Sequence, residues 1–213
     1  TTPDVPIDVI PNAIELSVFR PPRQRTHDGP IRLLFVGRFN AFKNVETLLE
    51  AINRLNEMGV NNFELQLVGD GERRANLERL TIDKGLTRQV HFLGWVDRKA
   101  IVERYRQADM FVTATTWEGM PNTVLEAMAC GCPVVASRHG ALPETCSDAA
   151  EYVDHTDPVD VARGLVRVLT DTEHREGRIT AGRALAVRRR WADVAEETLS
   201  VYRGVLGTAL QKH

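Results

Sequence analysis

The chain has 213 residues, 43% of them hydrophobic and 26% charged, with a formal net charge of -2. That length suits one sizeable core and leaves a second full domain cramped, and the near-neutral balance supplies no general pull toward nucleic acid or anionic lipid. No run is apolar for long enough to span a bilayer, and the amino terminus lacks a basic region followed by an apolar stretch. Any bound anion is therefore expected to be held by local groups.

The opening TTPDVPIDVIPN is proline-rich and ends in Val9 and Ile10, which read as an entering edge segment or a linker. Residues 21–30 are almost free of apolar side chains and read as a loop, so residues 1–30 form an entering segment ahead of the organised domain. IRLLFV at 31–36 is a continuous apolar strand of the kind buried on both faces. Lys43 to Met58 then sets Val45, Leu48, Leu49, Ile52 and Leu55 on one helical face.

FELQLV at 63–68 is the next strand, followed by a helix carrying Leu77 and Leu80 and ending near Gly85. VHFLG at 90–94 is the third, and Asp97 caps a helix whose inner face holds Ile101, Tyr105 and Ala108. MFVTA at 110–114 is the fourth. PNTVLEAMACG at 121–131 has a proline suited to the first helical turn and a glycine suited to its end. PVVAS at 133–137 and AAEYV at 149–153 supply two more strands, and Asp157 and Pro158 open a helix with Val161, Leu165, Val168 and Leu169 inward.

Residues 173–190 are charged and end in Arg188, Arg189 and Arg190. The final segment, 191–213, reads as a helix with Trp191, Val194, Thr198, Val201 and Leu206 on one face and Tyr202 beside them. That helix either docks on its own domain or reaches a neighbouring one. Strands separated by helices predict βαβ units: a doubly wound α/β domain over 31–190 with a parallel sheet of about six strands and the site at one sheet edge.

Cys130, Cys132 and Cys146 form an odd set. C-G-C falls one residue short of redox or zinc spacing, so all three read as reduced packing residues. The six histidines are scattered without an H-E-x-x-H pattern, and no metal site is predicted.

Two stretches carry chemistry. In FVGRFNAFK, residues 35–43, Gly37 lets the backbone turn close to a ligand, Arg38 offers a rigid donor fork, and Lys43 lies at the start of the next helix. Together they suit a diphosphate; a solvated surface pair is the plain alternative, and the position between strand and helix favours the clamp. No G-x-G-x-x-G follows the first strand, which disfavours an NAD-dependent enzyme. The GDG at 69–71 is weak by itself, and no P-loop sequence is present.

The second stretch runs from Trp117 to Pro143. Glu118 lies in a loop at a helix amino terminus, beside the exposed backbone groups of Gly119, Met120, Pro121 and Asn122. Pro121 itself contributes no amide hydrogen to that set. Glu126 follows inside the helix and leans back toward the same pocket. Acids at this spacing suit the hydroxyls of a sugar and a ribose, while Arg38, Lys43 and the amides meet the anionic part. Glu118 as a loop cap and Glu126 as a solvated residue is the bland reading. It is weakened because Glu126 sits among Val124, Leu125, Ala127 and Met128, where an unpaired acid is costly. Ser137, His139, Gly140, Pro143 and Glu144 continue the stretch, and Trp95 and Trp117 border strand ends.

These elements resemble the carboxy-terminal, donor-binding domain of the retaining glycosyltransferases of GT-B architecture, the glycosyl transferases group 1. The resemblance runs through PNAIE (11–15), VGRFNAFKNVETLLEAI (36–52), LVGDG (67–71), VHFLGWV (90–96), EGMPNTVLEAMACGCPVVAS (118–137), HGALPE (139–144) and WADVAEETLSVY (191–202). It implies that Arg38 and Lys43 bind the donor diphosphate, that Glu118 contacts the transferred sugar and that Glu126 holds the donor ribose. Gly37 and the backbone from Gly119 to Asn122 then serve phosphate and sugar.

The resemblance also implies a UDP-, GDP- or ADP-linked donor, no cofactor and no metal, and an amino-terminal acceptor-binding domain as partner, absent before Thr1. The chain is then an excerpt that binds donor with little or no transfer, and residues 191–213 contact the missing domain. Nucleic acid is not an expected partner. The location implied is cytoplasmic, with peripheral membrane association only through the absent part. A noncatalytic sugar-nucleotide-binding or assembly domain is the alternative from another class. Departures stand at Asn44, Ala13 and Ala141, where the family has glycine.

Overall fold

The computed structural model describes residues 7–22, 29–188 and 190–210, the last four by backbone alone. Residues 1–6 and 23–28 of the expected entering segment and loop, Arg189 of the arginine run and residues 211–213 of the expected terminal helix lie outside the described residues.

Six strands form one parallel sheet: β1 (Ile31–Val36), β2 (Phe63–Val68), β3 (Val90–Gly94), β4 (Met110–Thr113), β5 (Val134–Ser137) and β6 (Ala150–Val153), in the order β3-β2-β1-β4-β5-β6. Leu33, Leu34 and Phe35 are all buried because both faces of β1 are covered. On one face lie α1 (Val45–Glu57), α2 (Arg74–Asp83) and α6 (Pro158–Thr170). On the other lie α3 (Arg98–Gln107), α4 (Asn122–Ala129), α5 (Leu142–Cys146) and α7 (Thr172–Ala186). The doubly wound expectation holds. The strand order reverses between β1 and β4, which opens a crevice at the carboxyl ends of those strands.

Local chemistry accounts for most boundaries. The five predicted apolar positions of α1 are all buried. Asp97 caps α3 by accepting from the Ala100 amide at 2.7 Å, and Asp157 caps α6 through the Val159 amide at 2.8 Å. On α3 the inward face is carried by Val102 and Tyr105, and Ile101 is half-buried.

Three expectations change. Val9 and Ile10 form no edge strand: Val9 is exposed, and Pro11 has no amide for a ladder. The segment is a linker that buries Ala13, Ile14 and Phe19, the last edge-on to Tyr105 at 6.0 Å between ring centroids. The helix expected from Lys43 begins at Val45, because residues Ala41–Lys43 form a separate 3-10 turn capped by the Asn40 side chain. Pro121 is the cap of α4 and not its first helical residue.

The final helix, α8 (Trp191–Leu210), keeps Trp191, Leu199, Tyr202, Val205 and Leu206 exposed. Among the described residues no helix is long and apolar enough to cross a membrane.

Candidate functional site

The crevice is built by close backbone approach. Where β1 ends, the Gly37 amide donates to the Val68 carbonyl at 3.0 Å. Opposite it, Gly69 has φ +129°, and a Cβ there would lie 1.9 Å from the Gly37 carbonyl oxygen, so only glycine fits. The remainder of the GDG turn is structural: the Phe39 amide donates to the Asp70 carbonyl at 2.9 Å, and the Phe39 carbonyl accepts from the Arg73 amide at 3.0 Å. The resulting cleft, about 360 Å³, is lined by Gly37, Gly69, Trp95, Arg98, Thr123 and Glu126 among others.

Beside the crevice, the Lys43 ammonium donates directly to the Glu118 carboxylate, with the two side chains 21% and 16% exposed. Such largely buried charges need each other, since removing one leaves the other desolvated and unpaired. The loops that carry them are tied together: the Phe42 carbonyl accepts from the Thr116 amide and from the Thr115 hydroxyl, each at 2.8 Å. From the far side, the Ala141 amide donates to the Glu118 carbonyl at 2.9 Å. Gly140, at φ +58°, passes so close that a Cβ would sit 2.7 Å from the Glu118 backbone.

Lys43 does not extend the amide cluster of a helix start, as the spacing predicts, because its own amide is spent on the Asn40 carboxamide oxygen at 3.1 Å. Only its side chain serves the site. Arg38 stands apart. Its Nε lies 3.7 Å from Glu72 and its side chain is 70% exposed, so it forms a solvated rim and not part of the Lys43–Glu118 pair.

At the start of α4, Gly119 and Met120 are exposed, and their amides have no protein acceptor among the described residues. Met120 turns its carbonyl to the Asn122 amide at 2.9 Å, and Asn122 receives the Asn12 carboxamide at 3.4 Å. Glu126, one turn further, is half-buried and accepts from the Tyr105 hydroxyl at 2.9 Å. Tyr105 is the partner that an acid among apolar neighbours demands. Burial pushes the Glu126 carboxyl above the ordinary glutamate range, against the opposing pull of Tyr105 and Arg98. Burial, then the Glu126 charge, raises the Tyr105 phenol well above its usual value.

The sign of the Glu126 shift makes it a cost to the fold at neutral pH. A carboxyl raised on folding is least costly below the unfolded value of 4.5, and stability falls as pH climbs through the raised folded value. Glu126→Gln, which keeps an oxygen for Tyr105, is therefore expected to raise the melting temperature at pH 7.5 and leave it nearly unchanged at pH 4. Melting curves at the two pH values check this.

Of the remaining sequence candidates, Ser137 is buried and donates to the Thr115 carbonyl at 2.6 Å, a structural role. His139 is exposed, its ring centroid 4.9 Å from that of His155. Trp95 and Trp117 are exposed, and Trp117 faces Phe42 at 6.2 Å. The cysteines are buried and form no disulfide, with the Cys146 thiol pushed up to about 12 by burial, as inert packing residues are. Among the described residues no group of three or more His, Cys, Asp or Glu is arranged to hold a metal. Sequence reasoning did not assign Arg98 to the cleft or Tyr105 to Glu126. The available signal for Tyr105 was a hydroxyl at a core-facing position, which needs a partner; Arg98, exposed on a helix rich in charge, carried no such signal.

With this geometry in view, comparison with known proteins is decisive about family. The family model for glycosyl transferases group 1 matches residues 20–185. The chain belongs to that family. An uncharacterized glycosyltransferase of Methanocaldococcus jannaschii is 34% identical over 179 residues, covering 83% of this chain and 45% of that protein. Sucrose-phosphate synthase from Thermosynechococcus elongatus superposes with a TM-score of 0.82 at 27% identity, covering 93% of this chain and 52% of the other. The carboxy-terminal domain of a group 1 glycosyl transferase from Francisella tularensis superposes at 0.73 with 25% identity, covering 83% of this chain and 98% of that domain. The family and these folds make the chain a Rossmann-like domain of the GT-B type. It spans about half the length of the curated relatives it matches.

Proposed function

We propose that the chain is the donor-binding half of a retaining glycosyltransferase that moves a hexose-type sugar from a nucleoside-diphosphate sugar to an acceptor hydroxyl in glycan or glycoconjugate synthesis. The carrying observation is the contact between Lys43 and Glu118 at the sheet's switch point. It sets a cation for a diphosphate against a carboxylate for sugar hydroxyls. Glu126 and the glycine-floored cleft beside it suit a ribose and base.

In this reading the donor's diphosphate takes over Lys43 and the unpartnered amides of Gly119 and Met120, with Arg38 swinging in from the rim. The bond from the anomeric carbon to the diphosphate oxygen breaks as the acceptor oxygen bonds to that carbon from the same face. The departing oxygen keeps the electron pair, the leaving diphosphate takes up the acceptor's proton, and the fixed cations stabilise the charge that develops. These cations are the chain's own means of doing so. Glu118 is released to accept from the transferred sugar. The acceptor site and closure over the sugar belong to a second domain, and the exposed apolar side chains of α8 are offered to it. Any cytoplasmic placement or membrane association rests with the whole protein.

Calorimetric titration of the chain with UDP-, GDP- and ADP-sugars tests the reading. One base class is expected to bind, with little sugar transfer to simple alkyl glycosides. Absence of heat for all three at about 1 mM, a binding free energy of only about 4 kcal/mol, would refute it.

A further inference from the structure

Asn44 stands where the family places glycine, and its backbone shows why: φ 49°, ψ 46° is the left-handed region, which asparagine tolerates better than other side chains. Both ends of its side-chain carboxamide are engaged. The carboxamide nitrogen donates to the carbonyl of His155 at 2.8 Å, across 111 residues of sequence, and the carboxamide oxygen accepts from the Thr47 hydroxyl at 3.0 Å. Glycine at this position would satisfy the backbone and make neither bond.

His155 belongs to the connection between β6 and α6, which contributes nothing to the donor site described above. Yet this connection contacts residues adjoining both halves of the Lys43–Glu118 pair. Through its carbonyl it holds Asn44, the residue after Lys43; through its ring it meets His139, beside the Gly140 that presses on the Glu118 backbone. The three-residue 3-10 turn that bears Lys43 is held on its amino side by the Asn40 cap and the bonds from Thr115 and Thr116 to the Phe42 carbonyl, and on its carboxyl side by Asn44.

We infer that Asn44 is a positioning residue that straps the Lys43 turn to the β6–α6 connection and so holds the lysine ammonium at the diphosphate position. The inference rests on the donor-site reading. Asn44→Gly keeps the left-handed backbone and removes the strap; Asn44→Asp keeps a left-handed-tolerant residue of the same size and removes the donor.

The experiment measures affinity for whichever of UDP, GDP and ADP binds the unmodified chain best, together with melting temperature, in both variants with and without Lys43→Ala. Each Asn44 variant is expected to weaken binding about 5- to 10-fold, the size of one lost positioning hydrogen bond, and to add less than 2-fold once Lys43 is alanine. Unchanged affinity beside a working Lys43→Ala effect overturns the inference and leaves the donor site standing, as does a lowered melting temperature with affinity intact. Equal losses with and without Lys43 show that Asn44 acts elsewhere and also overturn it. If Lys43→Ala itself changes nothing, the donor-site reading falls and the strap with it.

Discussion

Lys43→Ala is expected to weaken nucleoside-diphosphate binding by roughly 10- to 150-fold, the equivalent of a charge-assisted hydrogen bond of about 1.5–3 kcal/mol. The loss has two sources. The diphosphate forfeits the ammonium paired with Glu118 beside the crevice, and Glu118, 16% exposed, is left as an uncompensated negative charge beside an anionic ligand. Glu118→Gln separates these effects. It frees Lys43 from its carboxylate partner, so binding of the bare diphosphate is expected to hold or tighten, while preference for the sugar-bearing donor disappears. Arg38→Ala, which removes an exposed side chain paired with Glu72, is expected to cost less than Lys43→Ala. Titration of the three variants with diphosphate and diphosphate-sugar checks the ordering. A Lys43→Ala chain that binds as tightly as the parent would remove the clamp from the account.

The second large effect is expected at Glu126. Its carboxylate is held by Tyr105 at the wall of the cleft, leaving its remaining acceptor capacity for the two hydroxyls of a ribose. Glu126→Ala is expected to lower affinity for the ribonucleotide by roughly 10- to 100-fold, as hydrogen bonds to a charged acceptor are lost. For the 2′,3′-dideoxy analogue the same substitution is expected to do little. Discrimination between the two sugars that survives the substitution would rule out the ribose assignment. The raised carboxyl also sets a pH dependence. Only the ionised form accepts both hydroxyls, so affinity is expected to rise with pH through the folded value, above 4.5, and then level off. Donor binding and apo stability thus respond to pH in opposite senses at this one group.

Much of this protein is written locally. Continuous apolar runs bounded by turn residues place all six strands to within a residue, and the helical spacing from Val45 to Leu55 names the buried face of α1. Asp97 and Asp157 act as the caps their positions announce, because a capping side chain reaches only the next two or three amides. The acids of the Glu118–Glu126 stretch were likewise legible, since a carboxyl among apolar neighbours carries its cost on its face. The break at Asn44 was less so. Lys43 continues the helical pattern, and only the competition from the Asn40 cap and the left-handed Asn44 ends it.

What the chain order could not announce is contact across distance. Lys43 and Glu118 lie 75 positions apart, Tyr105 and Glu126 lie 21 apart, and Asn44 and His155 lie 111 apart. Each pairing depends on which strands neighbour one another, and the β3-β2-β1-β4-β5-β6 order is set by packing helices on both sheet faces, not by any one segment's propensity. The same holds for Arg38, whose motif position says phosphate and whose side chain lies on the solvated rim. Residue types and their periods were determined by the sequence alone. Which charges meet, and which stay in water, was decided by tertiary structure, because electrostatic and hydrogen-bond energies depend on separation in space and on burial.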